Sequence, residues 1–143
     1  MNAIVEVFEF SSQPFTDVLH RLRLDVFETA ARTGTDVIFT NNSMWSGQPT
    51  GDAFVTFARH AEQIVRDAGG ATTFVRLTAP VDVLCTRVGS DDRRAMGKIV
   101  DADRLRRRLA EHDEPAVHDD DLTIDTAVTS PVDAARRIAD VLN

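Results

Sequence analysis

The chain has 143 residues, of which 43% are apolar and 27% charged, with a formal net charge of -7. Such a length fits one domain able to bury about 70% of its unfolded surface, and an acidic total argues against a polyanion such as nucleic acid as partner. Cys85 is the only cysteine, so a disulfide framework and a multi-thiolate metal site are both excluded, and its setting in an apolar helix pattern points to a buried thiol.

The opening "MNAIVEVFEF" has two glutamates and no basic start, and no apolar run approaches the ~18 residues of a membrane span. No membrane association is therefore expected, and a reducing, cytoplasmic setting is the simplest reading. After a break at Ser11, Ser12 and Pro14, the residues Phe15, Val18, Leu19, Leu22, Val26, Phe27 and Ala30 recur at helical spacing until Gly34. "DVIFTNN", residues 36–42, is β-branched and aromatic, and predicts a strand covered on both faces. "SMWSGQPTG" follows as a loop. Phe54, Phe57, Ala58, Ala61, Ile64 and Val65 define the next helix, closed by Gly69 and Gly70, and "TTFVRLT", 72–78, predicts a second strand. A helix from Pro80 to about Val88, a polar stretch from Gly89 to Lys98 and a basic helix from Asp101 to about His112 come next. "LTIDTA" predicts a third strand, and "SPVDAARRIADVL" a last helix with Ser130 as N-cap and Pro131 at its first position.

This alternation predicts a single α/β domain over 1–143 with a mainly parallel sheet. Three strands are few for so many helices, since a doubly wound sheet normally has about five.

"RLRLDVFETAARTGTDVIFT", "FVRLTAPVDVLCTRV", "RRAMGKIVDADRLRRRLAEHD" and "LTIDTAVTSPVDAARRI" together resemble the P-loop kinase-like group that includes shikimate kinase-like and AAA-type small-molecule phosphotransferases. The resemblance covers nearly the whole chain. It implies a three-layer P-loop kinase-like fold, here incomplete, with about three strands present and a lid over roughly 89–115. The first strand, phosphate loop, first helix and second strand of that family have no counterpart. A GxxxxGK[ST] loop surrounds phosphates with backbone N–H groups, a lysine and a magnesium-binding hydroxyl. The only lysine, Lys98, cannot serve, because Ile99 follows it and Asp92 stands where the first glycine belongs. Met1 thus reads as an internal position of the family domain, either because the natural protein starts earlier or because this is a shortened relative. A full-length relative would use ATP and Mg2+; no cofactor is expected for this chain.

The resemblance also implies roles for particular residues. Arg87 matches an arginine beside the adenine, for which a planar, weakly hydrated guanidinium is suited; a helix-end arginine favoured by the dipole is the plainer alternative. Arg93 and Arg94 match lid arginines that neutralise charge on a transferred phosphoryl group, or else pair locally with Asp91 and Asp92. Lys98 resembles a lid-end lysine, or is a solvated side chain, and Thr126 lies in the turn that in that family touches the adenine through backbone atoms, or else serves turn and cap geometry with Asp125 and Ser130. Arg104, Arg107 and Arg108 lie near one another on the basic helix, as a solvated face or as part of the lid.

Beyond the carboxyl end of "DVIFTNN", where doubly wound sheets bind ligands, Asn41, Asn42 and Trp45 are the candidate substrate residues. His112, Asp113, His118 and Asp119 to Asp121 lack a metal-ligand spacing, and no metal is expected. His20 and His60 fall within helix patterns and read as structural. The function expected is that of a kinase-like protein inactive for want of a phosphate loop, with an unidentified small-molecule substrate. The alternative is a noncatalytic binding or assembly module, a homodimer whose second copy completes the sheet.

Overall fold

The computed structural model describes residues 2–10, 12–41, 52–90, 93, 100–111 and 115–142. The chain divides into two compact units, Met1–Thr72 and Thr73–Asn143.

The first unit is helical: α1 (Asn2–Val7), α2 (Gln13–Thr33) and α3 (Asp52–Asp67). Ser12 caps α2, its Oγ accepting the Phe15 N–H at 3.3 Å, and Pro14 occupies the first turn, where no intrahelical donor is lost. At the other end Gly34 adopts φ 64°, and its N–H donates to Ala31 O while the Thr35 N–H donates to Ala30 O. This is a Schellman closure, and a side chain at Gly34 would strain it. Phe15 and Thr16 of α2 and Phe57 and Ala58 of α3 are buried, and the two helices pack on each other. The rings of Phe27, Phe39 and Phe57 gather there, Phe27 meeting Phe39 edge-on at 5.1 Å.

Of the strand expected over 36–42, the described residues 36–41 form none. Residues 36–41 carry no strand pairing and no backbone hydrogen bond appears for 36–40. Phe39 is instead held through its ring contacts, and Ile38 is 96% exposed. A strand exists only when a neighbour takes its N–H and C=O groups, and side-chain pattern alone does not supply one. Asn42 lies outside the described residues.

The second unit is α/β. It contains β1 (Val75–Thr78), α4 (Val81–Val88), α5 (Ala102–Glu111), β2 (Leu122–Asp125) and α6 (Pro131–Leu142). Among the described residues the sheet has two parallel strands, Val75 opposite Leu122 and Thr78 opposite Asp125, where about three were expected. Both strands are shorter than the runs that encode them: β1 begins only at Val75, opposite Leu122, because β2 is preceded by the turn at 118–121, and β2 ends at Asp125 because the chain turns at Thr126. Ile124, Val88 and Val117 form the core, with Ile124 at 0% exposure. Asp121 ties the approach to β2, its Oδ2 accepting the Val117 and His118 N–H groups at 2.7 and 3.1 Å. The expected cap of α6 is present: Ser130 Oγ accepts the Asp133 N–H at 3.1 Å and donates to Asp133 Oδ2 at 2.6 Å. Cys85, expected to be buried, is half-buried, with its thiol 3.7 Å from Ala102 O between α4 and α5.

The two sheet edges differ. Phe74 O and Thr78 O accept from Leu122 and Thr126 N–H at 3.2 and 2.8 Å, so the even-numbered residues of β1 face β2. Val75 and Leu77 therefore direct their N–H and C=O groups to the other side. On the outer edge of β2, Thr123 O accepts from Arg137 at 3.4 Å and Asp125 O accepts the Thr129 N–H at 3.0 Å. The outer edge of β1 has no such cover among the described residues.

Candidate functional site

The carboxyl ends of β1 and β2 place Thr78 and Asp125 side by side, and the chain leaves β2 through Thr126. The Thr126 N–H and hydroxyl both donate to Thr78 O, at 2.8 and 2.9 Å, which pins the turn to the end of β1. Asp125 tightens it further, its carboxylate accepting the Ala127 N–H at 2.8 Å. Arg87, in the last turn of α4, reaches this turn: Nη1 donates to Thr126 Oγ at 2.9 Å and Nη2 to Thr126 O at 2.7 Å.

The result is a short relay from Arg87 through the Thr126 hydroxyl to Thr78 O. Two bonds fix the orientation of a guanidinium whose residue remains exposed, so part of its rotamer entropy is already spent. The two residues assigned by resemblance to the base side of a nucleotide are thus brought into contact. Of the lid residues, Arg93 is half-buried, while Arg94 and Lys98 lie outside the described residues.

The packing of α4 against α5 sets the position of Arg87's helix. Arg106 of α5 lies 3.6 Å from Asp82 of α4 and 3.3 Å from Asp103, pairs too exposed to contribute much stability. The start of α5 is capped by Asp101, whose carboxylate accepts the Arg104 N–H at 2.9 Å. That bond holds the Asp101 pKa below its ordinary value.

In the first unit Asn41 is the one candidate substrate residue that is described; Asn42 and Trp45 lie outside the described residues. Its Oδ1 accepts a long hydrogen bond, 3.4 Å, from Arg23 Nη1. The Arg23 guanidinium carbon sits 5.3 Å from the centroid of Phe39, and His20 stacks on Phe57 at 4.9 Å. Burial pushes the Arg23 pKa down. Burial, then the charge of Arg23, lowers that of His20, against a smaller opposing pull from Asp17. Arg23 went unrecognised in the sequence, yet its signal is there. Thr16, His20, Arg23 and Phe27 follow the 4-3-4 spacing of one helix face, and a cation on the inward face of an amphipathic helix is the kind of buried polar group that calls for a partner.

Open grooves occur elsewhere, one lined by Glu62, Arg66, Gly70, Ala71 and Thr72 and another along α2 by Val26, Ala30 and Thr33 among others. Neither includes Arg87, Thr126, Arg23 or Asn41. Among the described residues no cluster of His, Cys, Asp and Glu is arranged to hold a metal ion, and no helix is long and apolar enough to cross a membrane. No family model matches the chain, and no curated protein or solved structure matches it.

Proposed function

We propose that this chain is a P-loop kinase-like protein, related to ATP-dependent small-molecule phosphotransferases, which carries the base side of a nucleotide site but no phosphate loop. As written it does not transfer phosphate. One observation carries the reading: Arg87 is clamped onto Thr126 at the carboxyl ends of two parallel strands, where open α/β sheets bind their ligands. An exposed arginine whose guanidinium is held in one orientation suits a purine, which offers a flat ring and needs no charge neutralised. The phosphates of a nucleotide would have no partner of the usual kind, because none of the 143 residues form a GxxxxGK[ST] sequence.

The test is an equilibrium titration with adenosine and with ATP, each with and without Mg2+. Adenosine and ATP should bind alike, with Kd on the order of 1 mM, and Mg2+ should make no difference, because the base alone is held. Arg87→Ala should weaken both by roughly two- to fivefold, the worth of an exposed stacked cation. Micromolar, magnesium-dependent binding of ATP would overturn the reading. The alternative, a noncatalytic assembly module, gains from a separate observation, the uncovered outer edge of β1.

A further inference from the structure

Parallel strands are stable when the sheet is wide and covered, and two strands alone are marginal. Here the β2 edge is closed by the chain's own Thr129 and Arg137, while among the described residues nothing pairs with the outer edge of β1 at Val75 and Leu77, with Leu77 59% exposed. Such an edge is a template for another strand. The chain also contains the complementary piece. Residues 36–40, "DVIFT", have the composition of a strand, make no backbone hydrogen bond among the described residues, and leave Ile38 almost wholly exposed.

Charge and hydropathy match as well. Arg76 has a buried Nε with no hydrogen-bond partner, and no ion pair is found for the Asp36 carboxylate among the described residues. Side chains alternate along a strand, so placing Asp36 on the face of Arg76 also places Val37 and Phe39 on the face of Val75 and Leu77. Asp36 then shares a face with Arg76, as does Ile38, while Val37 and Phe39, whose ring also packs on Phe27 and Phe57, share the face of Val75 and Leu77.

We propose that residues 36–40 of a second copy add to the open edge of β1, reciprocally, in a twofold dimer that gives each sheet a third strand. The exchange is closed, so it yields a discrete dimer and not a filament. It engages the backbone of Val75 and Leu77 and leaves the β1–β2 ladder undisturbed.

Sedimentation equilibrium should show a dimer at micromolar concentration. Asp36→Arg and Arg76→Asp, each alone, set like charges against each other and should raise the dimer Kd about tenfold. Mixed in equal amounts the two variants restore both contacts, since the arginine of one copy then meets the aspartate of the other in each half of the dimer. The mixture should therefore dimerise like the wild type. Circular dichroism establishes that each variant is folded. Hydrogen exchange on the wild type gives a measurement independent of the variants: the amides of 36–40 should be protected in the dimer and lose protection on dilution. A monomeric wild type, amides of 36–40 protected at every concentration as in pairing within one chain, or a mixture no better than its folded components would each overturn the proposal.

Discussion

Replacing Thr126 by valine keeps the shape of the side chain and removes its hydroxyl, which sits between Arg87 Nη1 and Thr78 O at 2.9 Å from each. The backbone bonds survive: the Thr126 N–H still donates to Thr78 O, and Arg87 Nη2 still reaches Thr126 O. What is lost is one part-buried hydrogen bond, worth about 0.5–1.5 kcal/mol net, and one exposed bond worth less. The two polarise each other in series, so their joint loss should come to about 1 kcal/mol. Calorimetry should place the Thr126→Val melting temperature about 4–8 °C below the wild type if the second unit melts as a small domain. Thr126→Ser retains the hydroxyl and should stay near the wild type. In the adenosine titration, Thr126→Val should weaken binding without abolishing it, because one of the two clamps on Arg87 remains. Equal stability of Thr126→Val and wild type would refute the relay, and so would equal losses for the serine and valine variants.

The remaining predictions concern the core and pH. Ile124 is fully buried, so Ile124→Ala should cost about 2–5 kcal/mol, read from the urea midpoint, and should unfold β1 and β2 together because they share that core. His20 has a folded-state pKa below its usual 6.5, so protons bind the unfolded chain more readily. Its contribution to stability is complete above pH 6.5 and is lost as the pH falls below that value towards the folded pKa. His20→Gln should accordingly flatten the fall in urea stability below pH 6.5, and an unchanged slope would show that the imidazole is not the group responsible.

How much of this could be read from the chain depends on where each element finds its partners. The ends of α2 were legible because capping is local: Ser12 and Pro14 open it and Gly34, at φ 64°, closes it, all within one turn of the ends they satisfy. Ser130 and Pro131 announced α6 for the same reason. "DVIFTNN" carries as strong a strand composition as "FVRLT", yet only the latter pairs, because β2 lies alongside it and no described strand lies beside 36–41.

The candidate site divides in the same way. Residue chemistry and family resemblance nominated Arg87, Thr126 and Asn41. Arg23 carried an overlooked helical-spacing signal, since a cation on an inward face is easily taken for an arginine on a solvated one. The chain by itself determined α2 to α6, the caps at Ser12, Gly34 and Ser130 and the lack of a GxxxxGK[ST] motif in these residues, since each depends on neighbours a few residues away, whereas α1 (Asn2–Val7) was not expected. Only the tertiary structure decided that Arg87 clamps Thr126, 39 positions along, and that among the described residues the sheet has two strands with one edge uncovered. Hydrogen bonds across such distances form only after the backbone has been brought together, and no local pattern records which groups will meet.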